Sequence, residues 1–349
     1  MKFYKISEDR YLMTDGEMVC EVNKDVALSQ DTSKIKRFIL IGEKYYKSIQ
    51  LLSKKGIRTD YADPEKLEYI IENDVIKIDN KEYSFEVSKE DTGSTVVFIK
   101  SGYSRPELSY LYNQFDKFGI LVINNPDRVA ETSNKWITYE MLEKNDIPQP
   151  VSVLVNSNDV AKKDHDGLYK KLKNIYNKPN DDDKYVCKLL KGHGGRGVFV
   201  CRHKNILPIL QCIFAVKDNT EVMVQKCLDL KDGDIRANVL TINKKQKLIN
   251  AVKRTKGNDK DFRTNLSLGG HAEEIELTKE QQELAFKVAK LSGLTWAGVD
   301  IIKDINDNMY VIEINGAPGT PFDVDNQDDL LEKNTAFYSN FVDLIDEMI

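Results

Sequence analysis

Cysteine is scarce, charge of one sign is not in large excess, and long hydrophobic runs are missing. The five cysteines, Cys20, Cys187, Cys201, Cys212 and Cys227, are odd in number and form no C-x-x-C pair. That excludes a C-x-x-C metal or redox centre and a framework of fully paired disulfides. Reduced, mostly buried thiols in a cytoplasmic protein are the expected state. No window has the length and apolarity of a transmembrane helix. The N-terminal Met1-Lys2-Phe3-Tyr4-Lys5 lacks the apolar run of a signal peptide. With 51 Lys and Arg against 56 Asp and Glu the net charge is −5, so no direct nucleic-acid contact is expected. The pattern G-x-x-x-x-G-K-[ST] is absent, as is any Ser/His/Asp or Cys/His signature of nucleophilic catalysis.

What is present is a soluble-type composition, 41% hydrophobic and 31% charged over 349 residues, long enough for two or three domains. Residues 1–35 carry short strand-like pieces around a turn at Asp15-Gly16. Phe38-Ile39-Leu40-Ile41-Gly42 reads as a short strand. A helix with Tyr46, Ile49 and Leu52 on one face follows, stopped by Gly56. Strand and helix alternate up to Leu121-Val122-Ile123-Asn124, which implies a parallel sheet with covering helices. Ser133 is the expected cap of a helix from Asn134 to Asn145. Tyr185–Leu190, Val198–Cys201 and Glu221–Val224 read as strands. Thr278 and Gln281 form a capping box for a helix whose apolar face is Leu284, Val288 and Leu291, ended by Gly293.

The densest chemistry lies in residues 296–319. Two apolar runs, Gly298–Lys303 and Met309–Ile314, flank the polar turn Ile305-Asn306-Asp307-Asn308 and read as a β-hairpin. Alternation puts Glu313 and Asn315 on one face, with Ile312 and Ile314 on the other. Asp300 sits among apolar residues of the partner strand. Three oxygen donors on a rigid hairpin suit a hard cation such as Mg²⁺, which completes its shell with phosphate and water. The alternative is a hairpin with solvent-facing acids, but buried carboxylates in Val-Asp-Ile-Ile and Val-Ile-Glu-Ile-Asn would then need partners of their own.

Gly192-His193-Gly194-Gly195-Arg196-Gly197 contains G-x-G-x-x-G. In a dinucleotide fold that loop opens a helix; here Val198-Phe199-Val200 leads into a strand instead. A protein kinase carries its lysine on a later strand, with H-R-D and D-F-G signatures. This chain has Lys188 before the loop and offers only Asp261-Phe262-Arg263. The functional reading is a hairpin lid over a triphosphate, with backbone N–H groups and Lys188 as donors. The structural reading is a glycine turn.

Taken in order, Ser133-Asn134-Lys135, Val186-Cys187-Lys188-Leu189-Leu190-Lys191-Gly192, Val224-Gln225, Gly233-Asp234-Ile235-Arg236, Asp261–Leu266 with Gly269-Gly270, Gly298-Val299-Asp300, and Glu313-Ile314-Asn315 with Pro318-Gly319 resemble the ATP-grasp superfamily. Within it they resemble the RimK-type glutamate ligases. The likeness covers roughly residues 36–322. It implies an α/β (α+β) fold in which a Rossmann-like pre-ATP-grasp domain precedes the ATP-grasp subdomains. The boundaries expected are 1–35 for an extension, 36–125 for the pre-ATP-grasp domain, 126–222 for the central subdomain with the lid, and 223–349 for the metal-bearing subdomain.

The resemblance further implies an ATP-dependent carboxylate–amine ligase working through an acyl phosphate, with glutamate or a related amino acid as one substrate. The other would be a carboxylate-bearing peptide, protein or small molecule. Lys135 and Lys188 resemble the phosphate lysines, and Gly192, Gly194, Gly195 and Gly197 the lid. Gln225, Lys226, Cys227 and Leu228 resemble the adenine hinge, and Asp234 the ribose contact. Arg263 and Asn265 resemble the pair facing the transferring phosphoryl group. Asp300, Glu313 and Asn315 match the Mg²⁺ ligands, for two ions or Mn²⁺ in their place. The chain departs from the pattern at Lys226, where an acid is usual, at His193 in the lid, in a shorter Leu228–Gly233, and in a longer Lys253–Lys260. Residues 1–35 have no counterpart. A homo-oligomer is a further expectation by analogy. The competing class is a nucleotide-binding regulatory or scaffolding module that kept the fold without turnover.

Overall fold

A computed structural model describes residues 2–7, 10–14, 19–23, 34–42, 57–79, 84–100, 106–161, 165–192, 195–217, 220–256, 270–318, 337 and 340–349. Strands β1 (Lys2–Ser7), β2 (Arg10–Thr14) and β3 (Val19–Asn23) form an antiparallel meander, and the expected turn at Asp15-Gly16 lies outside the described residues. The expected helix of Tyr46, Ile49 and Leu52 lies outside the described residues.

Strands β4 (Arg37–Gly42) and β5 (Arg58–Ala62) open a parallel sheet. An antiparallel sheet follows, made of β6 (Glu68–Glu72), β7 (Val75–Asp79) and β8 (Ser84–Ser88). It was not legible as such in the alternation of strand and helix. The parallel sheet is completed by β9 (Thr95–Lys100) and β10 (Leu121–Ile123), in the order β10-β9-β4-β5. Helix α1 (Pro106–Lys117) buries Leu108, Leu111 and Phe115 against one face, together with Ile76, Ile78 and Val87 of the small sheet. The other face, with Phe38, Leu40 and Phe98, packs on Trp296, Phe341 and Ile345.

Helices α2 (Pro126–Ser133) and α3 (Lys135–Glu143) come next. The cap between them is not Ser133, which is the last residue of α2. Asn134 is in extended conformation and its Oδ1 accepts from the amides of Trp136 and Ile137. Asn and Ser cap about equally well, and only the break between two helices decides between neighbours.

The central sheet is antiparallel, ordered β11-β14-β12-β13 from β11 (Ser152–Asn156), β12 (Lys184–Leu189), β13 (Val198–Arg202) and β14 (Glu221–Lys226). Helices α4 (Ser157–Ala161), α5 (Asp166–Ile175) and α6 (His203–Val216) cover the face that carries Tyr185, Cys187, Val222 and Val224. The opposite face carries Val186, Lys188, Met223 and Gln225, because side chains alternate along each strand. Among the cysteines, Cys187 and Cys201 are buried thiols with Sγ atoms 3.7 Å apart, Cys227 is half-buried and Cys212 is exposed.

A five-stranded antiparallel sheet ends the fold, ordered β17-β16-β15-β18-β19. Its strands are β15 (Leu230–Ile242), β16 (Lys245–Thr255), β17 (His271–Glu274), β18 (Trp296–Asp304) and β19 (Met309–Asn315). Helix α7 (Lys279–Ser292) starts at the Thr278–Gln281 capping box and stops at Gly293, in the left-handed conformation. It buries Ala285, Val288 and Ala289, with Leu284 and Leu291 partly buried, against Ala237, Val239, Val299 and Ile301. Asn124 ties this sheet to the first. It donates to the carbonyls of Trp296 and Gly316 and accepts from the Trp296 amide. Among the described residues no helix is long and apolar enough to cross a membrane.

Candidate functional site

The face of the large sheet opposite α7 carries a row of charge. Strands β15 and β16 place Asp234 opposite Arg254, β15 and β18 place Arg236 opposite Asp300, and β18 and β19 place Asp300 opposite Glu313. Arg236 holds Asp300 with two bonds, Nε to Oδ1 and Nη2 to Oδ2, each 2.7 Å. Arg254 donates to Asp300 Oδ2 at 2.9 Å and also binds both oxygens of Asp234. Asp300 is 1% exposed. Burial alone would raise its pKa, but the two guanidinium groups outweigh that and hold the carboxyl below the ordinary aspartate range. Arg254 is likewise buried, which would lower its pKa, and its two carboxylate partners raise it instead. A buried carboxylate without such partners would neutralise itself.

Gly233 permits this row. A Cβ there would stand 1.7 Å from the Arg254 carbonyl oxygen, so only glycine lets β16 approach at the irregularity of β15 between Leu230 and Asp234.

Strand β19 departs from plain alternation. Asp300 pairs with Glu313 but Ile301 pairs with Val311, so Ile312 is the extra residue of a β-bulge. Val311 and Ile314 are buried in the α7 core, whereas Ile312 is half-buried and not part of it. The expectation that Ile312 and Ile314 share a face fails for this reason. Asn315 lies beside them, its Nδ2 3.5 Å from Asp300 Oδ2.

The cleft runs between this sheet and the central one. Lys135 is the first residue of α3, fixed there by the Asn134 cap and by its own amide bonded to the Leu190 carbonyl. Its Nζ donates to the Gly192 carbonyl at 3.1 Å and stands 3.8 Å from Glu313 Oε1. Lys188 projects from β12, 8% exposed. Burial pushes its pKa down from 10.5 to about 8, Lys135 adds to that, and Glu313 and Asp300 partly oppose it. Thr132, Thr138, Tyr139, Met223 and Gln225 complete the lining, with Ile312 and Glu313 facing them.

The glycine-rich segment joins β12 and β13, which pair as a hairpin. Gly195 and Gly197 have φ of 72° and 73°. A Cβ on Gly197 would meet Leu189 at 2.9 Å, and one on Gly192 would meet the Arg196 carbonyl at 2.9 Å. Gly194 and His193 lie outside the described residues, as do Arg263 and Asn265. At the end of β14, Gln225 is buried. The Lys226 ammonium stands 5.5 Å from the centre of the Tyr176 ring, a cation–π contact. Cys227 and Leu228 are half-buried, and the Cys227 amide donates to the Lys184 carbonyl at 3.2 Å.

Lys135, Lys188, Asp300, Glu313 and Asn315 are thus brought together. Asp234 pairs with Arg254. Arg236 and Arg254 received no role from the sequence. Arg236 stands two residues from Asp234 and so shares its face, and Arg254 ends the apolar run Ile249–Val252. A cation in either place signals a buried anion nearby.

Among the described residues no group of three or more His, Cys, Asp or Glu could hold a metal ion by itself. Two carboxylates and an amide fit Mg²⁺ that arrives with phosphate oxygens, since this ion uses one or two carboxylates and substrate phosphates in place of an all-protein cage.

Solved structures share this architecture. A RiPP-associated ATP-grasp ligase from Chryseobacterium gregarium, in complex with ADP and a leader and core peptide, matches with a TM-score of 0.62 at 13% identity, over 90% of this chain and 98% of that one. The ATP-grasp ligase PsnB, complexed with a phosphomimetic variant of a minimal precursor, Mg and ADP, matches with a TM-score of 0.59 at 17% identity, over 88% and 99%. D-alanyl-alanine synthetase A from Vibrio cholerae matches with a TM-score of 0.58 at 14% identity, over 89% and 98%. The fold is an ATP-grasp fold. In sequence, "Probable alpha-L-glutamate ligase 1" of Shewanella sp. (strain MR-4) is 30% identical over 209 residues. "Probable alpha-L-glutamate ligase" of Vibrio atlanticus (strain LGP32) is 30% identical over 208 residues. Each match spans 59% of this chain and 62% of the relative, less than two thirds of its length. The family model of the RimK-like ATP-grasp domain matches residues 132–330, more than half of the sequence, and the chain belongs to the RimK-like ATP-grasp family.

Proposed function

We propose that this protein is an ATP-dependent carboxylate–amine ligase that joins glutamate or a related amino acid to a carboxylate-bearing peptide, protein or small acid. The observation that carries this reading is the convergence of Lys135, Lys188, Asp300, Glu313 and Asn315 on one cleft, backed by the Arg236–Asp300–Arg254–Asp234 chain of ion pairs. Phosphoryl transfer needs positioned cations and neutralised charge more than a protein nucleophile. The described part of the cleft offers those.

In this reading ATP is a substrate, bound with its base against Gln225–Leu228 and its phosphates between Lys135, Lys188 and the lid glycines Gly192, Gly194, Gly195 and Gly197. Asp300, Glu313 and Asn315 would hold Mg²⁺, which neutralises phosphate charge when bound. A carboxylate oxygen of one substrate attacks the γ-phosphorus, and the bond from that phosphorus to the ADP oxygen breaks. The amine of the second substrate then attacks the acyl carbon, phosphate leaves, and the nitrogen gives up a proton to form the amide. Arg263 and Asn265 carry over as the groups at the transferring phosphoryl. Arg236 keeps Asp300 ionised, and Asp234, which orients Arg254, carries over as the ribose contact.

A module without turnover is expected to lose metal ligands first, and the closeness of Asp300, Glu313 and Asn315 supports the ligase reading. The test is phosphate release from MgATP across a panel of amino acids and acidic peptides, with mass spectrometry of the products. Phosphate release that depends on both partners and a product heavier by one residue support the ligase. ATP binding with no release under any pair supports the module.

A further inference from the structure

The small antiparallel sheet of the first domain ends on an open edge. Strand β6 pairs with β7 in unbroken register, and no described strand pairs with its other side. The free N–H and C=O groups of an edge strand template further pairing, so such edges are commonly guarded by lysine, proline or a bulge. Strand β6, Glu68-Tyr69-Ile70-Ile71-Glu72, has none of these. Its centre is apolar and open, with Ile70 59% and Ile71 42% exposed. Alternation sends these two to opposite faces. Tyr69 and Ile71 lie opposite Ile78 and Ile76, on the face that packs on α1, and Ile70 lies opposite Lys77 on the other. Burial, and then the neighbouring Glu107 and Tyr110 of α1, raise the pKa of the Tyr69 phenol. The charge along this edge is mostly of one sign. Between Asp63 and Asp79 stand six acids and two lysines. Both lysines already have partners, Lys66 in Asp63 at 3.8 Å and Lys77 in Glu72 and Glu86 at 3.6 and 3.9 Å. Glu68 and Glu72, both exposed, mark the two ends of the apolar centre.

We propose that β6 is a docking edge for an extended peptide segment with an apolar centre and a Lys or Arg at each end. The segment adds to the small sheet as a further strand. Main-chain hydrogen bonds to β6 hold it, and its side chains cover Ile70 on one face and Tyr69 and Ile71 on the other. Its cationic ends meet Glu68 and Glu72, since opposite charges facing across a strand pair stabilise it. A second copy of this chain fits badly. Two β6 strands paired antiparallel about Ile70 would set each Glu68 opposite a Glu72, and parallel pairing would set like beside like. Directly opposed like charges destabilise a strand pair. An acidic segment is disfavoured on the same ground. This surface belongs to the first domain and uses none of the cleft residues, so the segment binds with or without ATP.

The test is fluorescence anisotropy on the full chain with two labelled peptides, one centred on Lys-Val-Ile-Val-Lys and its twin on Glu-Val-Ile-Val-Glu. Wild type should bind the lysine peptide at least about tenfold more tightly than the glutamate peptide, and the gap should narrow as salt rises. Glu68→Lys combined with Glu72→Lys should reverse that order. If the double variant does not fold, Glu68→Lys alone should remove the preference, and an unchanged preference in either overturns the proposal. Methylating the backbone nitrogens of Val-Ile-Val keeps the peptide's charge and removes its main-chain donors, so it should cost at least about tenfold. Ile70→Arg should weaken binding of the lysine peptide without changing the sedimentation of the chain. No binding of the lysine peptide up to about 1 mM, equal binding of the twins, or a methylated peptide that binds like its parent overturns the proposal. A wild-type dimer that Ile70→Arg turns into a monomer assigns the edge to a second copy and overturns it as well. None of these failures touches the reading of the cleft, which phosphate release tests separately.

Discussion

Lys188 is held in the cleft against the interests of the fold, and its removal separates stability from function. Its pKa falls from 10.5 to about 8, chiefly through burial. At ~1.36 kcal/mol per pH unit, that gap corresponds to about 3 kcal/mol of destabilisation at pH 7, where both folded and unfolded chains carry the proton. Lys188→Met fills the same space with an unbranched apolar chain and removes the desolvated ammonium. The variant should be more stable than wild type at pH 7 by about 1–3 kcal/mol, read from denaturant midpoints. The sign with pH follows from linkage. Between about 8 and 10.5 the unfolded chain binds more protons at this lysine, so wild-type stability gains with rising pH relative to the variant, and the difference closes above 10.5. ATP affinity should fall by about 10- to 100-fold, since a buried charge-assisted contact to phosphate is lost. A variant that is less stable at pH 7, or that binds ATP unchanged, refutes the assignment of Lys188 as a strained phosphate ligand.

Three further outcomes are expected. Glu313→Gln, which keeps shape and removes a ligand charge, should abolish ATP turnover while shifting the melting temperature little, because Glu313 is partly exposed and its nearest cation, Lys135, is 3.8 Å away; Mg-dependent turnover in that variant would remove Glu313 from the site. Gly197→Ala should destabilise by about 1–3 kcal/mol, since the left-handed backbone and the contact with Leu189 both oppose a Cβ, and a neutral effect in denaturant titration would contradict the hairpin geometry. Arg263→Lys should retain ATP affinity and lower turnover by about 10²-fold, as lysine lacks the planar fork; loss of binding with full turnover at saturation would make Arg263 a ground-state anchor.

Much of the site was legible because its residues break local rules. Asp300 and Glu313 stand as carboxylates inside apolar strands, Lys188 as an ammonium in another, and four glycines crowd the tip of a hairpin. Each demands a partner or a ligand, and the hairpin of β18 and β19 follows from two apolar runs about a polar turn. Features decided by strand-to-strand fit were not legible. The bulge at Ile312 depends on the register between β18 and β19, which no single strand encodes. The pairing of Asp234 with Arg254 needs the partner strand twenty residues on. Residues 68–88 read as alternating strand and helix, but form a three-stranded meander whose outer strand exposes Ile70 and Ile71. Asn134 and Ser133 are both good caps, and the end of α2 chooses between them.

The acyl phosphate is the centre of this account, and hydroxylamine tests it directly. With MgATP, the correct acid and no amine substrate, hydroxylamine should capture the activated carboxyl as a hydroxamate, in equal amount to the ADP and phosphate formed. The hydroxamate should vanish in Glu313→Gln. Formation of AMP and pyrophosphate in place of ADP and phosphate would contradict the acyl-phosphate mechanism and assign the cleft a different chemistry of activation.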